Sequence, residues 1–184
     1  MRVVAGIFGG RPLKTLDGKT TRPTSDKVKG AIFSMLGQFF EGGRVLDLYA
    51  GSGSLSIEAV SRGADAAVLV ERDRKAQQII IENIEMTKET ERFSLMKMSS
   101  ERALSLVDMA FDLVFLDPPY AEEQVVKDIT FLEEKSLITS SATIVCETDK
   151  NVMLPETIGS FSCAKEKVYG ISRITIYERN EVSR

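Results

Sequence analysis

The stretch "RVLDLYAGSGSLSIEA", residues 44–59, decides the fold. It opens on the short apolar run Val45–Leu48, turns through Gly51 and Gly53, and continues with Leu55, Ala59 and Val60 at helical spacing. A strand, a glycine turn and a helix in that order begin a doubly wound α/β sheet. Glycine at the turn permits positive φ and lets a ligand approach the main chain with no Cβ in the way. A carboxylate, Glu71, closes the next apolar run "AAVLVE" (66–71), 20 residues after Gly51. In such a sheet the tip of the second strand lies beside the first, where an acid accepts hydrogen bonds from ribose hydroxyls. A purely structural turn is the competing reading of the glycines alone. As a ligand loop, the geometry serves NAD and S-adenosylmethionine equally. Two residues favour the second: Ser56 replaces the third glycine of G-x-G-x-x-G, and Asp47 sits in the strand end, where it suits a cationic amino group rather than a pyrophosphate.

Working outward, the theme repeats. "FSLMKM" (93–98), "FDLVFLD" (111–117) and "ATIVCE" (142–147) are further short apolar runs, and Ala76, Ile79, Ile80, Asn83 and Ile84 trace a helical stripe between two of them. A further helix is expected through Val125 to Leu132. Strands alternating with helices imply a mostly parallel sheet covered on both faces. Ahead of it, Val28, Ala31, Ile32, Met35, Leu36 and Phe39 predict a helix that Gly42-Gly43 stops. At the other end, "SCAKEKVYG" and "ISRITIYER" alternate with a period near two around Gly170, which predicts an antiparallel hairpin. The expected organisation is a basic arm and first helix over residues 1–43 and one compact unit over 44–184.

Composition narrows the chemistry. The 184 residues contain no histidine, which removes Ser-His-Asp hydrolysis and imidazole acid-base catalysis. Cys146 and Cys163 lack metal-ligand spacing and read as thiols in a reducing, cytoplasmic compartment, so no metal is expected. No apolar run reaches the roughly 18 residues of a membrane span. The net charge of −3 is unevenly spread: residues 1–30 hold seven basic groups against two acids, a local +5, while the rest of the chain stands at −8. A basic arm on an acidic body suits an edge that meets phosphate, with a solvated loop as the plain alternative.

"FDLVFLDPPY" (111–120) ends a buried strand in Asp117, two prolines and Tyr120. Ligands sit outside the carboxyl ends of the strands in an open α/β sheet, so Asp117 and Gly51 should face one crevice. Pro118 and Pro119 fix φ and remove two N–H donors, leaving the Asp117 carboxylate and the Pro118 carbonyl as a stiff pair of acceptors. Such a pair suits an NH₂ group. The amine of a nucleobase is a poor nucleophile until its N–H bonds are held and its lone pair is aimed; alignment then supplies much of the acceleration. Asp117 needs only an ordinary carboxylate pKa to act as a proton sink. Tyr120 offers an aromatic face that recovers roughly 1–3 kcal/mol of the stacking lost when a base leaves its helix.

The segments "RPTSDKVKGAIFSML" (22–36), "LDLYAGSGSLSIEAVSRGA" (46–64), "VERD" (70–73) and "FDLVFLDPPY" together resemble the bacterial 16S ribosomal RNA guanine-N2 methyltransferases of the RsmD type, and the likeness continues into "VYGISRITIYER". The resemblance implies a Rossmann-like class I methyltransferase with a seven-stranded sheet. It implies S-adenosylmethionine as methyl donor, one guanine of 16S rRNA or of a small-subunit particle as target, and a cytoplasmic monomer. By position, Asp47, Tyr49, Ala50, Gly51, Ser52, Gly53, Glu71, Arg72, Ser99 and Ser100 would line the cofactor. Ser99 stands where the family usually offers an acid or Asn for the adenine amine, with Glu101 as a second acceptor. Asp117, Pro118, Pro119 and Tyr120 would hold the target amine, and Arg11, Lys14, Arg22, Thr24 and Asp26 would meet the RNA.

Three rivals use parts of the same pattern. A DNA adenine-N6 methyltransferase shares the amine chemistry but needs a target-recognition region for which 184 residues leave little room. An NAD-dependent oxidoreductase shares the glycine loop and gives no reason for Asp117–Tyr120. A non-catalytic ribosome-assembly factor explains the basic arm alone.

Overall fold

The computed structural model describes residues 1–16 and 26–180; the expectations placed on Arg22 and Thr24 lie outside the described residues. In chain order the elements are α1 (Asp26–Met35), β1 (Arg44–Asp47), α2 (Ser54–Ser61), β2 (Ala66–Val70), α3 (Arg74–Thr87), β3 (Phe93–Met96), α4 (Ser100–Leu106), β4 (Phe111–Leu116), α5 (Ala121–Glu134), β5 (Ile138–Asp149), β6 (Thr157–Ile158), β7 (Phe161–Tyr169) and β8 (Ser172–Arg179). The strands form one sheet in the order β3-β2-β1-β4-β5-β8-β7-β6. Neighbours from β3 to β5 pair parallel; β8 runs antiparallel to β5 and to β7. The seven expected strands are joined by an eighth, β6, of only two residues, which pairs with Phe161 and Ser162 at the start of β7.

Side-chain alternation divides the interior into two layers. Val45, Leu69, Phe115, Val145, Ile174 and Ile176 face α1, α2 and α3, where Ile32, Phe33, Ile57 and Ile80 meet them. Leu46, Val70, Val114, Leu116, Ile144 and Tyr177 face α4 and α5, where Leu104, Val125, Ile129 and Leu132 meet them. Burial on both faces is why the central strands read as continuous apolar runs. Beyond β6 the edge of β7 is uncovered, and exposed Lys165 and Lys167 sit there, charges that discourage pairing with another chain. Among the described residues, no helix is long and apolar enough to cross a membrane.

The first helix ends earlier than its apolar spacing predicts. It stops at Met35 because Gly37 and Gln38 both adopt positive φ, 97° and 73°, and the Gln38 N–H returns to the Phe33 carbonyl at 2.8 Å. Phe39 is consequently off the helix and 63% exposed, while Phe33, outside the predicted stripe, is fully buried. The N-terminal arm is anchored by polar groups as well as by Val3, Phe8 and Leu13. Backbone N–H groups of Val4 and Ala5 donate to the Glu58 carboxylate of α2 at 2.8 and 3.1 Å. The Ser61 hydroxyl accepts from Phe8 N and donates to the Ala5 carbonyl.

Candidate active site

Where the parallel strands end, a cleft of about 920 Å³ opens between the loop after β1, the tips of β2, β4 and β5, and the N-terminal arm. Asp47, Tyr49, Ala50, Gly51 and Ser52 line it from the first loop, Glu71 and Arg72 from β2, Ser99 and Ser100 from the start of α4, and Asp117 through Tyr120 from β4. The glycine turn and the proline-stiffened acceptors therefore share a single cavity. Met1, Thr15 and Leu16 close it on the arm side.

The first loop is shaped for contact. Gly51 takes φ +60° with open space where a Cβ would stand, and its N–H donates to Glu71 Oε1 at 2.9 Å. Glu71 Oε2 accepts from the Asp73 N–H at 2.9 Å, so two main-chain donors orient the carboxylate while it still lines the cleft. Gly53 stands behind the cavity as the left-handed N-cap of α2. A Cβ there would come within 3.0 Å of Leu69, so this glycine serves close helix–strand packing.

Asp47 is a strongly perturbed acid of the cleft. It is 2% exposed, and the Ser56 hydroxyl donates to its Oδ2 at 2.8 Å. Burial pushes its pKa from 3.8 up to about 7; the Ser56 hydrogen bond opposes this, and Glu71 and Asp117 add like-charge repulsion. Ser56 thus has a use that glycine at the third motif position would lack. The folded-state pKa lies above the ordinary value, so the stabilising contribution of protonated Asp47 is complete below about pH 4 and is lost as pH rises through about 7. Asp47→Asn should remove that dependence. Thermal unfolding followed from pH 4 to 8 should show the variant gaining on the wild type as pH rises; parallel curves would show that Asp47 ionises normally.

Tyr49 is held from behind. Its hydroxyl donates to Asp128 Oδ2 on α5 at 2.6 Å, and Gln124 Nε2 donates to Asp128 Oδ1 at 2.9 Å. Burial raises the pKa of both Tyr49 and Asp128; the Asp128 acceptor adds to the tyrosine's shift, while the two donors oppose the acid's. This network ties the first turns of α5, which Tyr120 immediately precedes, to the loop after β1. Tyr120 itself adopts φ 54°, an uncommon left-handed backbone for a bulky residue, and stands 90% exposed at the lip of the cleft. Ser99 caps α4, its hydroxyl accepting from Arg102 N at 3.2 Å, and Glu101 lines the cavity two residues on.

The basic residues of the arm divide. The Arg11 guanidinium donates to the carbonyls of Met86 and Thr87 at the end of α3 and lies over Phe8, outside the cleft lining. Lys14 pairs with Glu82 at 3.3 Å, and its backbone is held by Asn83, which also donates to the Ser52 carbonyl. Asp26 accepts from the Arg2 N–H at 3.2 Å. Lys29 is fully buried against Glu58 at 3.1 Å. Sequence reading missed this pair, the Tyr49–Asp128–Gln124 network and Glu147, a 3% exposed carboxylate at the tip of β5 that lines the cleft.

A family model described as "conserved hypothetical protein 95" matches residues 1–178. A solved structure of a conserved hypothetical protein from Streptococcus pyogenes superimposes with a TM-score of 0.80 at 58% identity, covering 84% of this chain and 96% of that one. The ribosomal RNA small subunit methyltransferase D of Haemophilus influenzae is 33% identical over 97% of this chain and 93% of its own length. Its counterpart of that name in Escherichia coli is 31% identical, over 97% and 90%.

Proposed function

Because the chain belongs to the family described as conserved hypothetical protein 95, and is similar over nearly its whole length to small-subunit rRNA methyltransferases, we propose that it transfers a methyl group from S-adenosylmethionine to the exocyclic N2 amine of one guanine in 16S rRNA. The observation that carries this reading is the shared cleft: a cation-seeking pocket at the first loop and a rigid acceptor pair at Asp117–Pro118 open into one cavity. The methyl donor fits the residues present. Buried Asp47 suits a cationic amino group, the open Cβ position of Gly51 leaves room beside the main chain, and the oriented Glu71 carboxylate suits vicinal ribose hydroxyls. When bound, S-adenosylmethionine supplies an electrophilic methyl on a positively charged sulfur.

The chain's own residues do the rest. The Asp117 carboxylate and the Pro118 carbonyl accept the two N–H bonds of the target amine and aim its lone pair. Asp117 then takes the proton that the methylated nitrogen releases, a transfer that needs no strong base. Tyr120, exposed at the lip, stacks on the displaced base. Asp47 must ionise to hold a cationic group, so affinity for the methyl donor should rise with pH up to about 7 in the wild type and stay low and flat in Asp47→Asn.

Mass spectrometry of small-subunit rRNA from cells with and without the gene tests the whole reading. One N2-methylguanosine should disappear on deletion and return with the wild-type gene, and not with Asp117→Ala. An unchanged nucleoside profile would overturn it.

A further inference from the structure

Asp128 breaks the pattern of the helix that carries it. The inward stripe of α5 is otherwise Val125, Ile129 and Leu132, all fully buried, and Asp128 stands among them at 2% exposure. Both of its oxygens are used: Oδ2 accepts from the Tyr49 hydroxyl at 2.6 Å and Oδ1 from Gln124 Nε2 at 2.9 Å. The Ser100 side chain, at the start of α4, adds a weaker interaction with the same phenol. Tyr49, Ser100 and Gln124 line the cleft, whereas Asp128 lies outside its lining. One buried carboxylate therefore joins the loop after β1, the start of α4 and the first turns of α5.

Packing alone does not call for an acid there. A phenylalanine facing a leucine would fill similar space, and apolar pairs that replace buried polar ones are often neutral or stabilising. What an apolar pair lacks is direction. The bond to Asp128 fixes the Tyr49 hydroxyl, two residues before Gly51. Gln124, held by the same carboxylate, donates its own N–H to the Tyr120 carbonyl at 3.2 Å. Tyr120 keeps a left-handed backbone, φ 54°, which in a bulky residue persists where the surroundings over-determine it. The two loops that the reaction has to bring together thus share one anchor.

We propose that Tyr49 and Asp128 are positioning residues for methyl transfer: their hydrogen bond holds the methyl-donor loop and the Asp117–Tyr120 segment at a fixed separation. The assignment rests on the methyl-transfer reading above. A misplacement of about 1 Å at the reacting atoms lowers a rate by roughly 100-fold, even where the contacts that bind each substrate survive.

Tyr49→Phe keeps the ring and removes the hydroxyl. Single-turnover methyl transfer to undermethylated small-subunit rRNA, with S-adenosylmethionine and RNA both saturating, should slow roughly 10–100-fold. The Kd of each, by calorimetry and filter binding, should change by no more than about threefold. Asp128→Leu should behave alike, and in Tyr49→Phe/Asp128→Leu the two losses should not multiply, because both remove one interaction. That double variant leaves no unpaired hydroxyl, so its unfolding temperature should return towards the wild-type value while its rate stays low. Asp128→Asn still accepts from Tyr49 and donates to a turned Gln124 amide, so it should keep at least about a third of the wild-type rate. Recovery of rate together with stability in the double variant would reduce the pair to a structural contact. Single variants at the wild-type rate, losses confined to either Kd, or an Asp128→Asn as slow as Asp128→Leu would equally overturn the positioning role and leave the methyl-transfer reading standing. A wild-type protein that methylates no small-subunit rRNA overturns both.

Discussion

Asp117→Ala should lower the rate of methyl transfer by about 10³-fold while changing the affinity for S-adenosylmethionine by no more than about threefold. The two parts of that expectation have separate causes. Removing the carboxylate leaves the Pro118 carbonyl as the single rigid acceptor, so the amine is free to rotate about the remaining hydrogen bond and its lone pair is no longer aimed. It also removes the proton sink. The methyl-donor side of the cleft, built by the first loop and Glu71, keeps its main-chain hydrogen bonds. A modest gain is expected there, because Asp117 is one of the charges that raise the pKa of Asp47. Asp117→Asn separates aiming from proton acceptance: the amide oxygen still accepts one N–H but takes no proton, so its rate should fall between those of wild type and alanine. Single-turnover incorporation of labelled methyl into undermethylated small-subunit rRNA measures the rate, and calorimetry measures the affinity. An alanine variant that keeps more than about a tenth of the wild-type rate would remove Asp117 from the chemistry.

What could be read in the sequence was local. The strand–turn–helix at 44–59, the acid Glu71 at the next strand tip and the Asp117–Tyr120 strand end each announce themselves within a few residues, and the doubly wound topology then brings all three to one cleft. The hairpin of β7 and β8 was legible for the same reason, through alternation on either side of Gly170, which takes φ 58°. Contacts between residues distant in the chain left no such trace. Ser56 looked like a lapse in a glycine motif and is the donor to Asp47. Glu147 was only the last residue of the run "ATIVCE", because the cleft it lines is built by segments far from it in the chain. Phe33 and Phe39 exchanged roles because Gln38, a residue type without strong turn preference, took the left-handed conformation after Gly37. Lys29 counted as one more charge of a basic arm, since composition carries no information about burial. The left-handed backbone of Tyr120 likewise follows from the junction of β4 with α5 and not from the tyrosine.

Glu58→Ala should destabilise the protein by about 3–5 kcal/mol, a fall in unfolding temperature of roughly 10 °C. Glu58 is fully buried between three elements. It pairs with Lys29 of α1 at 3.1 Å and with Arg62 at 2.8 Å, and it accepts the N–H groups of Val4 and Ala5 from the arm. Arg62 keeps other company, donating to the Gln38 side chain at 2.7 Å and lying over the Phe33 ring. Lys29 keeps only the Arg2 carbonyl at 2.7 Å among its hydrogen-bond acceptors in the described residues, so the alanine variant buries an ammonium with little compensation. Lys29→Met should cost less, since Glu58 would retain Arg62 and both backbone donors. The pH dependence distinguishes this cause from a simple cavity. Burial already holds the Lys29 pKa below 10.5 against the pull of Glu58. Losing Glu58 lowers it further, so the unfolded state binds the extra proton and stability rises with pH through the lowered value. The deficit of Glu58→Ala should therefore narrow as denaturant melts are taken from neutral to alkaline pH, whereas a cavity would cost the same throughout. The effect should reach the chemistry as well. Met1, Thr15 and Leu16 line the cleft from the arm that Glu58 anchors, so a variant still folded at low temperature should lose RNA methylation before it loses affinity for the methyl donor, whose loop is held by Glu71 and Asn83 instead.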